Sequence, residues 1–292
     1  MKPPVELQQE RDFSQKINAT FDFVIQNFKP LLRAVVFIAG PGALVAGFFG
    51  GLYQSNMLTV KDTLSGEPFG GLSKMLGMDY LLMVLFSVLS YLLAGCTVYA
   101  YVVEYEIDPQ REISTEQVWA RVQQSLLSYA GALMLGFVLL VGGSILLVIP
   151  AIYWMVVYSL VFFIVMRENI APFDAIKRAF YLIKNKWWAH FGLILIMGII
   201  QSIFNVVFQA PSLIATFLKT LGVVSGDLQF TLIATTMLST VGSACVNTLG
   251  WVAIAFQYYN FVEQKEGSGM LAAINAIGQK QTPAPNQGEE QY

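Results

Sequence analysis

The residues best equipped for chemistry are few, and most catalytic arrangements fail on count. His190 is the only histidine among 292 residues. One imidazole cannot build a His-rich metal site, and Cys96 and Cys245 lack the short spacing of zinc ligands. No His-Glu-x-x-His helix and no Gly-Lys-Ser/Thr phosphate loop occurs. No pair of Asp residues falls within an apolar run, which excludes an aspartyl intramembrane protease. A Ser–His nucleophile could use only His190. That residue follows Trp187 and Trp188, where an aromatic-like residue at a membrane interface is the simpler reading. The chain is therefore expected not to be an enzyme and to hold neither metal nor cofactor.

Uncharged polarity is what remains. Gln201, Asn205 and Gln209 recur every four residues, as do Thr236 and Thr240, with Ser243 and Asn247 continuing that second stripe. Helical spacing puts each set on one face. If the two faces meet, they either cross-link two helices or line a polar cavity for a solute or lipid head group. The first reading is preferred, because such contacts, at ~0.6 kcal/mol each, are the ordinary glue of membrane bundles. A second cluster is basic and aromatic: Lys177, Arg178, Lys184, Lys186, Trp187 and Trp188. Its cations could hold an anionic lipid surface at ~1 kcal/mol each. They could equally fix topology alone.

The elements that must carry these residues are apolar. Hydrophobic residues make up 55% of the chain and charged residues 12%, about half the share of a soluble domain. Ala34 to Val60, Tyr80 to Val103, Val122 to Met166, Trp187 to Leu218 and Leu228 to Val262 contain no Lys, Arg, Asp or Glu. A spanning helix needs roughly 20 apolar residues, so the third stretch is long enough for two, with a turn near Pro150. Six spans are expected, at about 31–52, 80–103, 125–147, 150–166, 189–209 and 232–262. The runs do not alternate as barrel strands would. The fold class is all-α, a polytopic membrane bundle forming one domain over 1–263.

Orientation follows from the cations. With the N-terminus inside, 14 of the 17 Lys and Arg lie on the inner side, and only Lys61, Lys74 and Lys219 lie outside. This predicts a multi-pass protein of the bacterial inner membrane with both termini cytoplasmic. No cleavable signal peptide is expected, because the first 30 residues are charged and lack an apolar core.

Three amphipathic segments precede the odd-numbered spans. Phe13, Ile17, Phe21, Val24 and Phe28 form one apolar stripe; Phe173, Ile176, Phe180, Ile183 and Trp187 form another. Trp119, Val122, Leu126 and Tyr129 form a weaker third. The pattern predicts three transmembrane hairpins, each led by a helix on the cytoplasmic surface, with Phe173, Ile176, Phe180 and Ile183 inserted at the acyl boundary. Gly40-Pro41-Gly42 predicts a kink in the first span. Leu52 to Asp79 and Ala210 to Gln229 are expected as external loops, with Pro211 ending the fifth helix. Glu104-Tyr-Glu-Ile-Asp108 reads as a solvated loop. Residues 264–278 suit a short amphipathic segment, and 279–292 a disordered tail.

Ala175-Ile-Lys-Arg-Ala-Phe180, Lys184-Asn-Lys-Trp-Trp188 and Phe191-Gly192 together resemble the signature of a broad bacterial family of six-helix membrane proteins of unknown function. That family is similar to the membrane domain attached to some glycerophosphoryl diester phosphodiesterases. Val148-Ile-Pro-Ala-Ile-Tyr153 resembles its middle unit, with Ala151 where glycine is usual. The resemblance implies the six-helix fold and no transferable catalytic residue, since the phosphodiesterase chemistry sits in a separate soluble domain. A carotenoid-cleaving label carried by some relatives needs four histidine ligands and is rejected on count. The expected role is a non-catalytic protein that interacts with lipid or organises a partner. The alternative is a small-solute or lipid transporter with a polar cavity between the fifth and sixth spans. Partners are membrane lipids or another membrane protein, and no nucleic acid.

Overall fold

The computed structural model describes residues 3–60, 76–146, 148–224 and 228–267. Among them every regular element is an α-helix, nine in all, with no strand. The helices are α1 (Phe13–Gln26), α2 (Phe28–Ile38), α3 (Gly40–Val60), α4 (Met78–Ile107), α5 (Thr115–Leu146), α6 (Val148–Glu168), α7 (Pro172–Ile183), α8 (Trp187–Thr220) and α9 (Gln229–Glu266). By length and composition, α4, α5, α6, α8 and α9 can cross a membrane, and the bent pair α2–α3 makes a sixth if it counts as one span.

Local sequence explains most boundaries. Asp12 opens α1 with a capping box: its side chain accepts from the Gln15 backbone at 2.8 Å, and Gln15 reaches back to the Asp12 N–H. Pro172 starts α7, where a missing N–H costs nothing. The first span breaks at Ala39 by 58°. The kink predicted at Gly40-Pro41-Gly42 is thus present, because Pro41 has no N–H for the carbonyl four residues back.

Several expected boundaries move. Trp119 to Tyr129 is not a separate surface helix. It forms the first turns of the 32-residue α5, since no proline or glycine interrupts the run before Gly131. Pro211 lies inside α8, which continues to Thr220; membrane helices tolerate an internal proline where neighbouring groups take up the freed carbonyl. The first span runs on to Val60, beyond its expected end. Glu104 and Glu106 belong to the end of α4 rather than to a loop. Residues 61–75 of the expected external loop and residues 268–292, which include most of the amphipathic segment expected at 264–278 and the tail expected at 279–292, lie outside the described residues.

Packing is uneven along the bundle. The main core gathers where α4, α6 and α9 end, around Phe23, Tyr99, Tyr101, Phe163, Phe256 and Tyr259, all almost fully buried. Phe163 meets Tyr99, Tyr258 and Tyr259 edge-on at 5.0–5.5 Å, a favourable aromatic geometry. Half of the apolar window of α6 is buried, against 11% of that of α8, which leans mainly on α9. Towards the opposite end α3 packs tightly on α9. A Cβ on Gly47 would lie 2.5 Å from Met237 Cα, and one on Gly51 would collide with Ile233. Glycines four apart let the two backbones approach, as small-residue motifs do in membranes.

Candidate functional site

At the densely packed end, which carries the described N-terminus, ionic contacts join the helices. Arg121 pairs with Glu104 at 2.5 Å, and Arg167 pairs with Glu106. Arg178 bridges Glu168 at 2.9 Å and Glu266 at 2.5 Å. Tyr258 and Tyr259 donate to Glu168 and Glu106, both at 2.7 Å. The chain before α1 folds over this end. The Val5 N–H donates to the Tyr105 hydroxyl and the Arg11 N–H to Asn260, each at 2.8 Å.

These contacts divide the basic cluster predicted from sequence. Arg178 is committed to the bundle: the Glu266 carboxylate, above all, raises its guanidinium above the usual range, with Glu168 adding to this against the opposing effect of burial. Lys177 makes an exposed pair with Asp174 at 3.1 Å and lies 5.1 Å from the Phe173 ring centroid, and Lys184 and Lys186 are exposed. Trp188 is 76% exposed, whereas Trp187 stacks between Tyr153 and Phe191. Ile176 and Ile183 of α7 are buried among protein residues, and Phe180 packs on Trp154. The expected insertion of these three at an acyl boundary is therefore corrected; only Phe173 of that stripe is exposed. The α1 stripe is likewise used internally, with Phe13 and Ile17 against Leu193, Met197 and Ala253. Periodicity identifies an apolar face but not what covers it.

The two uncharged stripes meet at one point. Gln201 donates to the Asn247 carbonyl at 3.2 Å, beside Gly250. Asn205 is half-buried with an unpartnered amide oxygen, and Gln209 is exposed. Thr236 and Thr240 turn to α3: Thr240 donates to the Ala43 carbonyl at 2.8 Å, and Thr236 to Gln54 at 3.4 Å. Gln54 also accepts from Ser212 at 3.0 Å and donates to Thr216 at 2.8 Å, tying α3, α8 and α9. Gln54 lies in what reads as an external loop, so its role was hidden.

A cavity with hydroxyl and amide groups in its wall lies against the sixth span. It measures 170 Å³ and lies between α3, α4 and α9, lined by Ser87, Ser90, Ser239, Thr240, Ser243 and Asn247. A larger cavity of 320 Å³ adjoins it among α4, α5, α6 and α9, lined by Leu133, Leu139, Trp154, Phe162 and Ile254 with other aromatics. Tyr91 and Trp251 line both. Gly95 makes room for this wall, since a Cβ there would lie 2.5 Å from the Tyr129 hydroxyl and 3.3 Å from the Trp251 indole. Neither Tyr91 nor Trp251 stands in a local motif, so nothing in the sequence marked them.

His190 is fully buried, 2.8 Å from the Ser159 hydroxyl. Ser159 donates to the Val156 carbonyl at 2.8 Å, and His190 Nδ1 has no partner among the described residues. Among the described residues no carboxylate contacts the ring, and the Ser159–His190 contact ties α6 to α8. No group of three metal-ligating side chains occurs among the described residues. At the ionic end an open groove of 1010 Å³ sets Lys29 and Arg33 against Glu112 and Glu116.

Compared with protein-family models, curated proteins and solved structures, the chain matches none, so the resemblance to the phosphodiesterase-associated membrane family gains no support from these comparisons.

Proposed function

We propose that the chain is a non-catalytic, multi-pass membrane protein that binds a lipid within its helix bundle. It crosses the bacterial inner membrane six times in three hairpins, with both termini cytoplasmic. The observation that carries this reading is the 320 Å³ cavity, which falls in the size range of ligand pockets and is walled by aromatic and aliphatic side chains. Its lining residues Tyr91, Phe137 and Met155 are exposed on the apolar surface of the spans, so the cavity opens sideways towards the bilayer. An aqueous solute would instead need a polar route through the bundle. The six-helix family resemblance agrees with this reading, and Lys177, Lys184, Lys186 and Trp188 supply a cationic and aromatic rim for an anionic leaflet.

Purification in native lipid, followed by mass spectrometry of what stays bound, tests the function. About one lipid per chain is expected, and its loss in Ile254→Trp, which fills the cavity. A protein that retains none above a control membrane protein overturns the reading. Topology is tested with Gly66→Cys and Pro285→Cys in a background lacking Cys96 and Cys245. An impermeant thiol reagent on intact cells should label the first and spare the second; the reverse pattern refutes the orientation.

A further inference from the structure

We propose that the two adjoining cavities are one bipartite site for a long-chain amphiphile with a small, uncharged, hydroxyl-bearing head. This rests on the lipid-binding reading and specifies its ligand. The cavities share a wall made by Tyr91 and Trp251, whose ring centroids lie 5.2 Å apart. One molecule spanning that wall would meet two different chemistries.

In the larger cavity two of the polar side chains are already used. Tyr158 donates to the Ala132 carbonyl and Ser159 to the Val156 carbonyl. Apart from the hydroxyls of Tyr91 and Tyr99 and the indole N–H groups of Trp154 and Trp251, the wall is ring and aliphatic surface, which suits a hydrocarbon chain. In the smaller cavity hydroxyl and amide groups make up a larger share of the wall, beside alanine and aromatic surface. Ser90 and Thr240 donate to the Ala39 and Ala43 carbonyls. Among the described residues, the side chains of Ser239, Ser243 and Asn247 make no protein hydrogen bond. They offer donors and acceptors together, which matches a hydroxyl group that is both. Such groups at membrane depth are costly without partners.

Charge and size narrow the head further. Among the described residues, no Asp, Glu, Lys, Arg or His lines either cavity. A carboxylate, phosphate or ammonium head would enter without a counter-ion, at a cost that hydrogen bonds from neutral side chains would not offset. A space of 170 Å³ corresponds to about six waters at ~30 Å³ each, enough for a glycerol-sized head. Access is lateral, past Ser87 and Tyr91, both exposed on α4. The head then lies towards the loosely packed end, and the chain points towards Tyr99 and the dense core.

The test is saturable binding of labelled 1-monooleoylglycerol to the full chain in detergent. Oleate, at a pH where it is ionised, and 1-octadecene serve as competitors of matched chain. The glycerol ester should bind about tenfold better than either, the worth of one to two net hydrogen bonds. Ser243→Val with Asn247→Leu should erase the advantage over octadecene while leaving octadecene binding intact. Ile254→Trp should abolish all binding; Leu139→Trp serves if that variant fails to fold. Equal binding of oleate or octadecene by the wild type overturns the ligand class and leaves the lipid-binding reading standing. Failure of every probe to saturate, or binding unchanged in both filled-cavity variants, overturns that reading as well.

Discussion

Where α4, α6 and α9 end, charged and phenolic side chains pair within the protein, Arg178 with Glu168 and Glu266, Arg121 with Glu104, Tyr259 with Glu106, while the fully buried Gln257 amide has no partner among the described residues. Around Ser87 and Asn247, further along the same helices, the bundle is held by glycine contacts, by Gln54 and by scattered hydroxyls, and two cavities open into it. Both halves are built from the same apolar helices, so hydropathy does not distinguish them. The physical difference is the reach of water. Near a helix end, charged pairs keep part of their solvation and can cross-link strands of the bundle. Deep in a span that option is expensive, which leaves close backbone packing and neutral hydrogen bonds. Polar groups at depth that do neither job, such as Ser243 and the Asn247 amide, are the ones available to a ligand.

The largest effect should come from the open half, where one close contact carries the packing. Gly47→Leu places a side chain against the Met237 backbone and Thr240, and should cost about 3 kcal/mol or more. Thermal unfolding in detergent reads this directly, and a neutral result would mean that α3 and α9 are not held as described. Next is the ionic half. Arg178→Met strands Glu168 and Glu266, and the side chains are 21–34% exposed. The loss should therefore be about 2 kcal/mol, below that of a fully buried pair. The same assay should show the double variant Glu168→Gln/Glu266→Gln adding little to Arg178→Met.

A smaller change of opposite sign is expected at Lys16, only 5% exposed on α1. Burial lowers its ammonium below the usual lysine range, with Asp12 opposing and Lys186 reinforcing the effect. A depressed lysine means that the folded state is penalised while the group is charged, at every pH below its folded value. The penalty fades as pH rises through that value towards the unfolded one. Lys16→Met should therefore stabilise by about 1 kcal/mol at neutral pH, and the gain should shrink in alkali. A gain that is constant with pH would point to packing instead. The smallest effect belongs to Ser243→Val, which should leave stability within about 0.5 kcal/mol while changing ligand preference. A large stability loss there would blur the contrast between the two halves.

Much of this architecture was readable in advance. Charge-free runs marked the helices able to span, Pro41 marked the break in the first, and period-3.6 stripes marked α1 and α7 as helices. What those stripes touch was not readable, because Ile176 and Ile183 look the same whether lipid or α6 covers them. Pro211 misled because its helix-breaking rule belongs to water. Glu104 and Glu106 looked like loop because their partners, Arg121 and Arg167, lie on other helices. Gly47 and Gly51 stand four residues apart, but that spacing was not read as a packing signal, since it shows only against α9. Tyr91 and Trp251 carried none, since a cavity is a relation between helices and leaves no local pattern.

The account depends most on a ligand chain lying against Trp251, a side chain 6% exposed and hence shielded from quenchers in the surrounding detergent. With Trp119, Trp154, Trp187 and Trp188 replaced by Phe, its emission can be followed alone. Titration with 1-monooleoylglycerol brominated at its double bond should quench that emission saturably, and excess unbrominated ester should restore it. Emission that stays unchanged at saturating probe, in a protein that keeps its thermal midpoint, would contradict the account.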